Sequence, residues 1–508
     1  MSGIPLVNEK CAGAFVASAI GDALGWPNEF RSSNTDNKAK PSSNFNEWQR
    51  RSGGRYWNHT EKILAGEYSD DTQMNLAVAR SLLSGKPWIS HLTTVELPFW
   101  LEYERGGGSA LLRAANSWKK KMAPWHDKDV KNYFEAGGNG AAMRILPHVI
   151  FGFRSTSFDL VANAVTLDAI MTHGHPRAIV GALCYAYALY YLIKKESTLS
   201  FGELIDVVCK AKLEWGRFPS VFPEDWISIA DNWFIYHELW NNTVEATVQA
   251  LSNVSAAVGK GVLDSELETL TALGCFDKRV NGAGDVAAVA SIYLASKYAN
   301  NPTLGIRAAA NAIGSDTDTI ASMTGGLLGT ICGMDWIPAE WKLVQDYDCL
   351  VLVAGFLLSE NGIEATKNYV ANKQNDVLWE RSPIGICKKV TTFELPSGNS
   401  GNVRISKFVT ALGQTFYMKK FFRKKTSEVE TSYKPDKPTQ NFSMTIKSSQ
   451  ISAIINDNDL KYVYFSTILK IFEMYEHGIT DIDLIVKKVE VNEKTVKKVI
   501  SFILKEKL

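Results

Sequence analysis

No Cys-x-x-Cys pair occurs in the 508 residues; the seven cysteines, Cys11, Cys184, Cys209, Cys275, Cys332, Cys349 and Cys387, stand singly, several among Ala, Leu and Ile in helical runs. That spacing offers no disulfide framework and reads as reduced, buried thiols of a cytoplasmic protein. An excess of one charge is missing too. Lys and Arg number 55 against 54 Asp and Glu, a net charge of +1, so no overall field favours nucleic acid or an acidic membrane. Such a partner would need a local patch. The N-terminal stretch has neither the basic start nor the apolar centre of a secretory signal. The most apolar run, residues 178–193, is shorter than the roughly 20 residues a spanning helix needs and contains several tyrosines, which predicts a buried core helix and no membrane partner. Histidine is scarce, at 8 residues; the close pair His173-Gly174-His175 has no further His or Cys spaced to complete a zinc site.

What the chain does have is hard oxygen. Gly314-Ser315-Asp316-Thr317-Asp318-Thr319 interleaves carboxylates and hydroxyls directly before a small-residue helix at 320–329. Far upstream, Glu67-Tyr68-Ser69-Asp70-Asp71-Thr72 opens a second helical run. Such clusters suit Mg²⁺ or Mn²⁺. Brought together by the fold, the aspartates and hydroxyls of both would suffice for a two-metal site. Either cluster alone reads equally well as a helix N-cap. Taken together they favour a cation, because caps rarely need adjacent carboxylates that repel one another.

Small residues at Gly13, Ala14, Ala17, Ser18 and Gly21 predict a helix packed closely against its neighbours, ended by Gly25 and Pro27. Glu29 then falls just past the helix end, and spacing alone favours a solvated loop acid there. Residues 31–66 are polar and without periodicity, the pattern of a long loop. Two glycine turns precede helical stretches and could bring backbone N–H groups to an anion: Gly106-Gly107-Gly108, and Gly137-Gly138-Asn139-Gly140 ahead of Met143-Arg144. Arg144, followed by Ile145 and Leu146, is expected to pair with an acid in the core. The stretch Met171-Thr172-His173-Gly174-His175-Pro176 reads as an exposed elbow between helices, with His173 bonding a ligand or a neighbouring loop. A stripe of Ala321, Gly325 and Gly329 lets another helix approach.

Four regions follow: a main domain at 1–375, a short β-rich segment at 376–418, a basic, Pro-bearing linker at 419–441, and a small helical domain at 442–508. The last has a short middle helix at 481–488 and a third helix capped by Asn492, the pattern of a helix-turn-helix or winged helix that would admit nucleic acid, or equally of a docking module.

Gly21-Asp22-Ala23-Leu24-Gly25 with Pro27 and Glu29, Ser69-Asp70-Asp71-Thr72, Gly138-Asn139-Gly140 with Met143-Arg144, Thr172-His173-Gly174-His175-Pro176 and Asp316-Thr317-Asp318-Thr319, in this order, resemble the signature of the ADP-ribosylglycohydrolases across residues 10–370. The resemblance implies a mainly all-α, orthogonal helical domain around a dinuclear Mg²⁺ site. It implies Ser69, Asp70, Asp71, Asp316, Asp318 and Thr319 as metal ligands, with Glu29 a nearby acid that ligates or gates the site. The turns at 106–108 and 137–140, with Met143 and His173, would hold ADP-ribose. The implied reaction frees ADP-ribose from an acceptor such as a modified protein side chain, with Asp318, Asp316 and Glu29 the residues nearest the chemistry. The family usually carries Thr at Ser69, Gly at Ser315 and often Pro at Gly174. Two other readings share these carboxylates: an ADP-ribose-sensing regulator with a DNA- or protein-contacting tail, and a two-metal phosphohydrolase.

Overall fold

A computed structural model of the chain describes residues 4–29, 43–373, 379–398, 401–423, 471, 474, 481–489 and 491–504. Two units divide it, residues 1–425 and 426–508. The first is mainly helical. Its centre is α1 (Val7–Glu29), flanked by β1 (Trp48–Ser52), β2 (His59–Ile63) and α2 (Asp70–Leu83), with α3 (Ser109–Lys119), α4 (Pro176–Lys194), α5 (Gly284–Lys297) and α6 (Thr317–Cys332) following.

The small residues explain why α1 and α6 lie side by side. A Cβ added at Gly21 would sit 2.0 Å from the Ala321 carbonyl oxygen, and one at Gly325 would sit 2.1 Å from that of Ala17. Backbone therefore touches backbone along the seam, and the hydroxyls of Ser18 and Ser322 bond across it at 2.9 Å. Gly25 belongs to the same seam, its missing Cβ directed 2.2 Å from the Thr317 oxygen. It does not end the helix, as its pairing with Pro27 suggested: α1 runs on through Pro27 to Glu29. Residues 178–193 form the buried body of α4, which has the length and composition of a spanning helix yet is 83% buried within the fold. All seven cysteines are free thiols.

Part of the expected loop at 31–66 is an antiparallel hairpin. Trp48 pairs with Ile63 and Ser52 with His59, and Gly53 and Gly54 take positive φ after β1. The polar composition hid an alternation in which His59, Glu61 and Ile63 face inward. A four-stranded antiparallel sheet, β3 (Glu380–Ser382), β4 (Gly385–Ser397), β5 (Gly401–Thr410) and β6 (Thr415–Arg423), completes the first unit in the order β3-β4-β5-β6. Lys419, Lys420 and Arg423, read as the start of a basic linker, are strand residues here. Counting charge missed that Lys419 turns inward to an acid, Glu61, 2.6 Å away.

In the second unit, α7 (Ile482–Val489) and α8 (Glu493–Leu504) share a core of Ile471, Ile485, Val496, Val499 and Ile500. Asn492 accepts from the Thr495 N–H at 2.8 Å, as a cap should. The linker beyond Arg423 and most of the first of the three expected helices lie outside the described residues.

Candidate active site

Three helix ends meet beside one cavity. The C-terminal end of α1 brings Glu29, the N-terminal end of α2 brings Asp70 and Asp71, and the N-terminal end of α6 brings Asp316, Asp318 and Thr319. The cavity measures about 460 Å³. Gly106, Gly108, Gly138, Asn139, Gly140, Met143 and His173 line it as well. Two of the expected residues stand behind the wall. Gly107 packs on Trp100, whose ring would lie 2.2 Å from an added Cβ. Ser69 is the N-cap of α2 and accepts from the Asp71 N–H at 3.3 Å.

The two aspartate clusters touch directly, the Thr319 hydroxyl donating to Asp71 Oδ2 at 3.3 Å. Asn139 donates to Asp316 Oδ2 at 3.1 Å. Behind the motif lies a residue given no role in the sequence reading. Asp22 accepts from the backbone N–H groups of Ser69 (2.9 Å) and Thr72 (3.0 Å) and from the Thr72 hydroxyl (2.6 Å), fixing the turn that aims Asp70 and Asp71. Its signal was only the aspartate in a small-residue helix. Arg113, Asn132, Glu135 and Gly282 also line the cavity and carried no signal beyond their neighbours.

Burial, with Asp22, Glu29 and Glu104 nearby, holds the Asp70 carboxyl well above the ordinary carboxylate range. Burial with Asp22, Asp70 and Asp316 does the same to Asp71, and burial with Glu29, Asp316 and Asp71 to Asp318. Burial and Asp316 push Glu29 up to about 8, so it is no solvated loop acid. Like charges about 4 Å apart repel by about 4 kcal/mol at an effective dielectric of about 20, too much for several to ionise together without a counter-charge. Among the described residues, no three His, Cys, Asp or Glu side chains stand in a ready coordination shell. The donor set still fits a hard divalent cation. It is all oxygen, and Asp71 Oδ1 and Glu29 Oε2 are buried with no hydrogen-bond partner.

Elsewhere the lining includes His173 and Arg113 as well as Glu135. His173 is buried, not on an exposed elbow; Thr172 Oγ1 lies 2.7 Å from its Nδ1, and burial with Arg144 and Arg113 lowers it to about 3, so the ring is neutral. Arg144 pairs with buried Asp168 at 2.7 Å and donates to the Gly140 carbonyl at 2.6 Å, holding the glycine turn from behind. That turn is less open than its glycines suggested. The Asn139 N–H is taken by the Gly282 carbonyl at 2.9 Å, so it is not free for an anion.

The sequence profile of the ADP-ribosylglycohydrolases matches residues 5–365. The chain belongs to the ADP-ribosylglycohydrolase family. That family is one of glycosidic-bond hydrolases. ADP-ribosyl-[dinitrogen reductase] glycohydrolase of Rhodospirillum rubrum is 28% identical over 193 residues, 37% of this chain and 60% of that protein. ADP-ribosylhydrolase ARH3 of Danio rerio is 27% identical over 298 residues, 54% and 73% of the two chains. ADP-ribosylarginine hydrolase Tri1 of Serratia proteamaculans is 23% identical over 347 residues, 66% and 76%. The chain thus spans about three fifths of the Rhodospirillum protein's length. The profile ends before the sheet at 380–423, so the family's segment and the first structural unit of this chain differ in extent.

Proposed function

We propose that this protein is a Mg²⁺-dependent ADP-ribosyl-acceptor hydrolase, Mn²⁺ serving as a substitute, that releases free ADP-ribose from a modified protein side chain in the cytoplasm. The observation that carries the reading is the meeting of Glu29, Asp70, Asp71, Asp316 and Asp318 from three helix ends on one cavity, with carboxylate oxygens left unpartnered. Asp70, Asp71, Asp316 and Asp318, with the Thr319 hydroxyl, would hold two ions, and Ser69, capping α2 behind them, would aim Asp70 and Asp71. Bound there, the ions would supply Lewis-acid polarisation and a lowered pKa for a bound water.

Hydrolysis of a glycosidic bond passes through an oxocarbenium-like transition state, which a ring of carboxylates stabilises by charge. Glu29 and Asp318 are the groups proposed to accept the attacking water's proton. Glu29 ends a helix whose neighbouring turns are locked by Gly25 against Thr317, so its carboxyl is presented on a rigid element. Neutral His173 and the turns at 106–108 and 138–140 would hold the ADP-ribose with its anomeric carbon at the carboxylates. The relatives carry the names of different acceptors, dinitrogen reductase in one and arginine in another, so the acceptor here is open to assay. For residues 442–508 we propose a small helical module, on the apolar face shared by Ile485, Val496 and Val499.

ADP-ribose release from arginine-linked and serine-linked ADP-ribosylated proteins, with Mg²⁺ and with EDTA, tests the reading. Mg²⁺-dependent release that falls at least about a hundredfold in Asp316→Asn and Asp318→Asn is expected. Release of AMP or phosphate instead, or ADP-ribose binding without release, would overturn it.

A further inference from the structure

The sheet at 380–423 lies beyond the family's segment, yet its last strand reaches the residues that shape the cavity. We propose that Tyr417 and Lys419 of β6 are positioning residues for the candidate active site, holding together the chain that leads into Asp70 and the glycine turn that lies against it.

The Tyr417 hydroxyl donates to Glu67 Oε1, and Arg105 Nη1 donates to Glu67 Oε2 at 2.8 Å. The Arg105 guanidinium lies 3.9 Å over the Tyr417 ring, so one tyrosine contacts both members of the pair. Glu67 stands two residues before Ser69, and Arg105 directly precedes Gly106. Lys419 grips the same turn from its other side. Its N–H donates to the Glu102 carbonyl at 3.0 Å, and its ammonium reaches the Glu104 carbonyl at 3.1 Å and Glu61 at 2.6 Å.

The turn has little room to shift, since a Cβ at Gly106 would lie 2.8 Å from Asp70 Oδ1. A displacement of residues 102–106 therefore reaches a carboxylate of the site. Glu61, Glu67, Arg105 and Tyr417 are all buried. Buried networks of this kind hold geometry when complete and lose it when one member is removed. Partners that orient metal-binding side chains typically change metal affinity or activity 10- to 100-fold when altered.

The effect on catalysis rests on the hydrolase reading; the effect on geometry does not. The experiment uses the full chain carrying Tyr417→Phe or Lys419→Met. Arg404→Ala, at the exposed Arg404–Glu394 pair of the same sheet, is the control. Mn²⁺ affinity is measured by titration calorimetry, and backbone hydrogen exchange is followed at residues 64–72 and 102–109, well below the melting temperature of each variant. The expected result is Mn²⁺ affinity about tenfold weaker and faster exchange in both segments for the two β6 variants, largely restored by Lys419→Arg and absent in the control. Wild-type Mn²⁺ affinity together with exchange that rises only within residues 380–423 would reduce the strand to ordinary packing and overturn the proposal. Should the wild type bind no Mn²⁺ and release no ADP-ribose, the hydrolase reading fails, and the exchange measurement alone decides the positioning role. If Lys419→Met does not fold, Tyr417→Phe, which removes a single oxygen, decides it.

Discussion

The carboxylates of the cavity are held from two sides by opposite means. On the side of α1 and α6, backbone lies on backbone with few polar contacts, a serine pair and the Thr317 hydroxyl on the Gly25 carbonyl. On the side of α2, charged and polar side chains meet in buried networks: Asp22 under Ser69 and Thr72, Glu67 with Arg105 and Tyr417, and Arg80 with Glu96 and Gln414. The first arrangement is set by shape and the second by complete pairing. A shape-locked seam should tolerate changes of charge nearby but no added volume. A polar network should tolerate isosteric swaps but no missing partner.

The largest effect is expected at the seam. Gly325→Val places atoms where the Ala17 carbonyl stands 2.1 Å from the Cβ, and the helices must separate. A loss of at least about 3 kcal/mol in urea unfolding is expected, above the usual cost of overpacking because backbone cannot yield as a side chain can. A loss under about 1 kcal/mol would show that the seam is not locked.

Next comes Asp22→Ala, which orphans two buried N–H groups and the Thr72 hydroxyl for a cost of about 2–3 kcal/mol, with Asp22→Asn costing clearly less. Equal losses in the two variants would remove the case for pairing over volume.

The smallest effect, read per unit of pH, is one of protonation. His173 is held at about 3 when folded, below its ordinary 6.5, so the unfolded chain binds a proton that the folded chain refuses. Its neutral form costs nothing above about pH 6.5. Below that, stability falls by about 1.4 kcal/mol per pH unit until about pH 3, and His173→Gln should flatten the slope by that amount. Parallel slopes in the two proteins would mean that the ring is not refused its proton.

Much of the α1–α6 side was legible in the sequence, because a stripe of Ala321, Gly325 and Gly329 and the small face of Gly13, Ala17 and Gly21 state close packing at a helical period. The clustered acids were legible for a similar reason, each being a local pattern at a helix start. The polar side was not. Glu67 meets Tyr417, and Glu61 meets Lys419, across more than three hundred residues, and no local period marks such a pair. Asp22 looked like one more residue of a helix, and the β1–β2 hairpin hid behind a polar composition. Lys419 and Lys420 share a run of charge that suggests solvent. Only the fold separates Lys419, which is drawn to Glu61, from exposed Lys420.

The sheet's position has a consequence for heredity. A stop codon a few positions after residue 373 would spare every residue matched by the family profile and every acid of the cavity. It would also strip Glu61, Glu67 and Arg80 of one buried partner each, Lys419, Tyr417 and Gln414. An allele of that kind would pass as intact in a survey of the family segment while lacking the strand that meets Glu61 and Glu67.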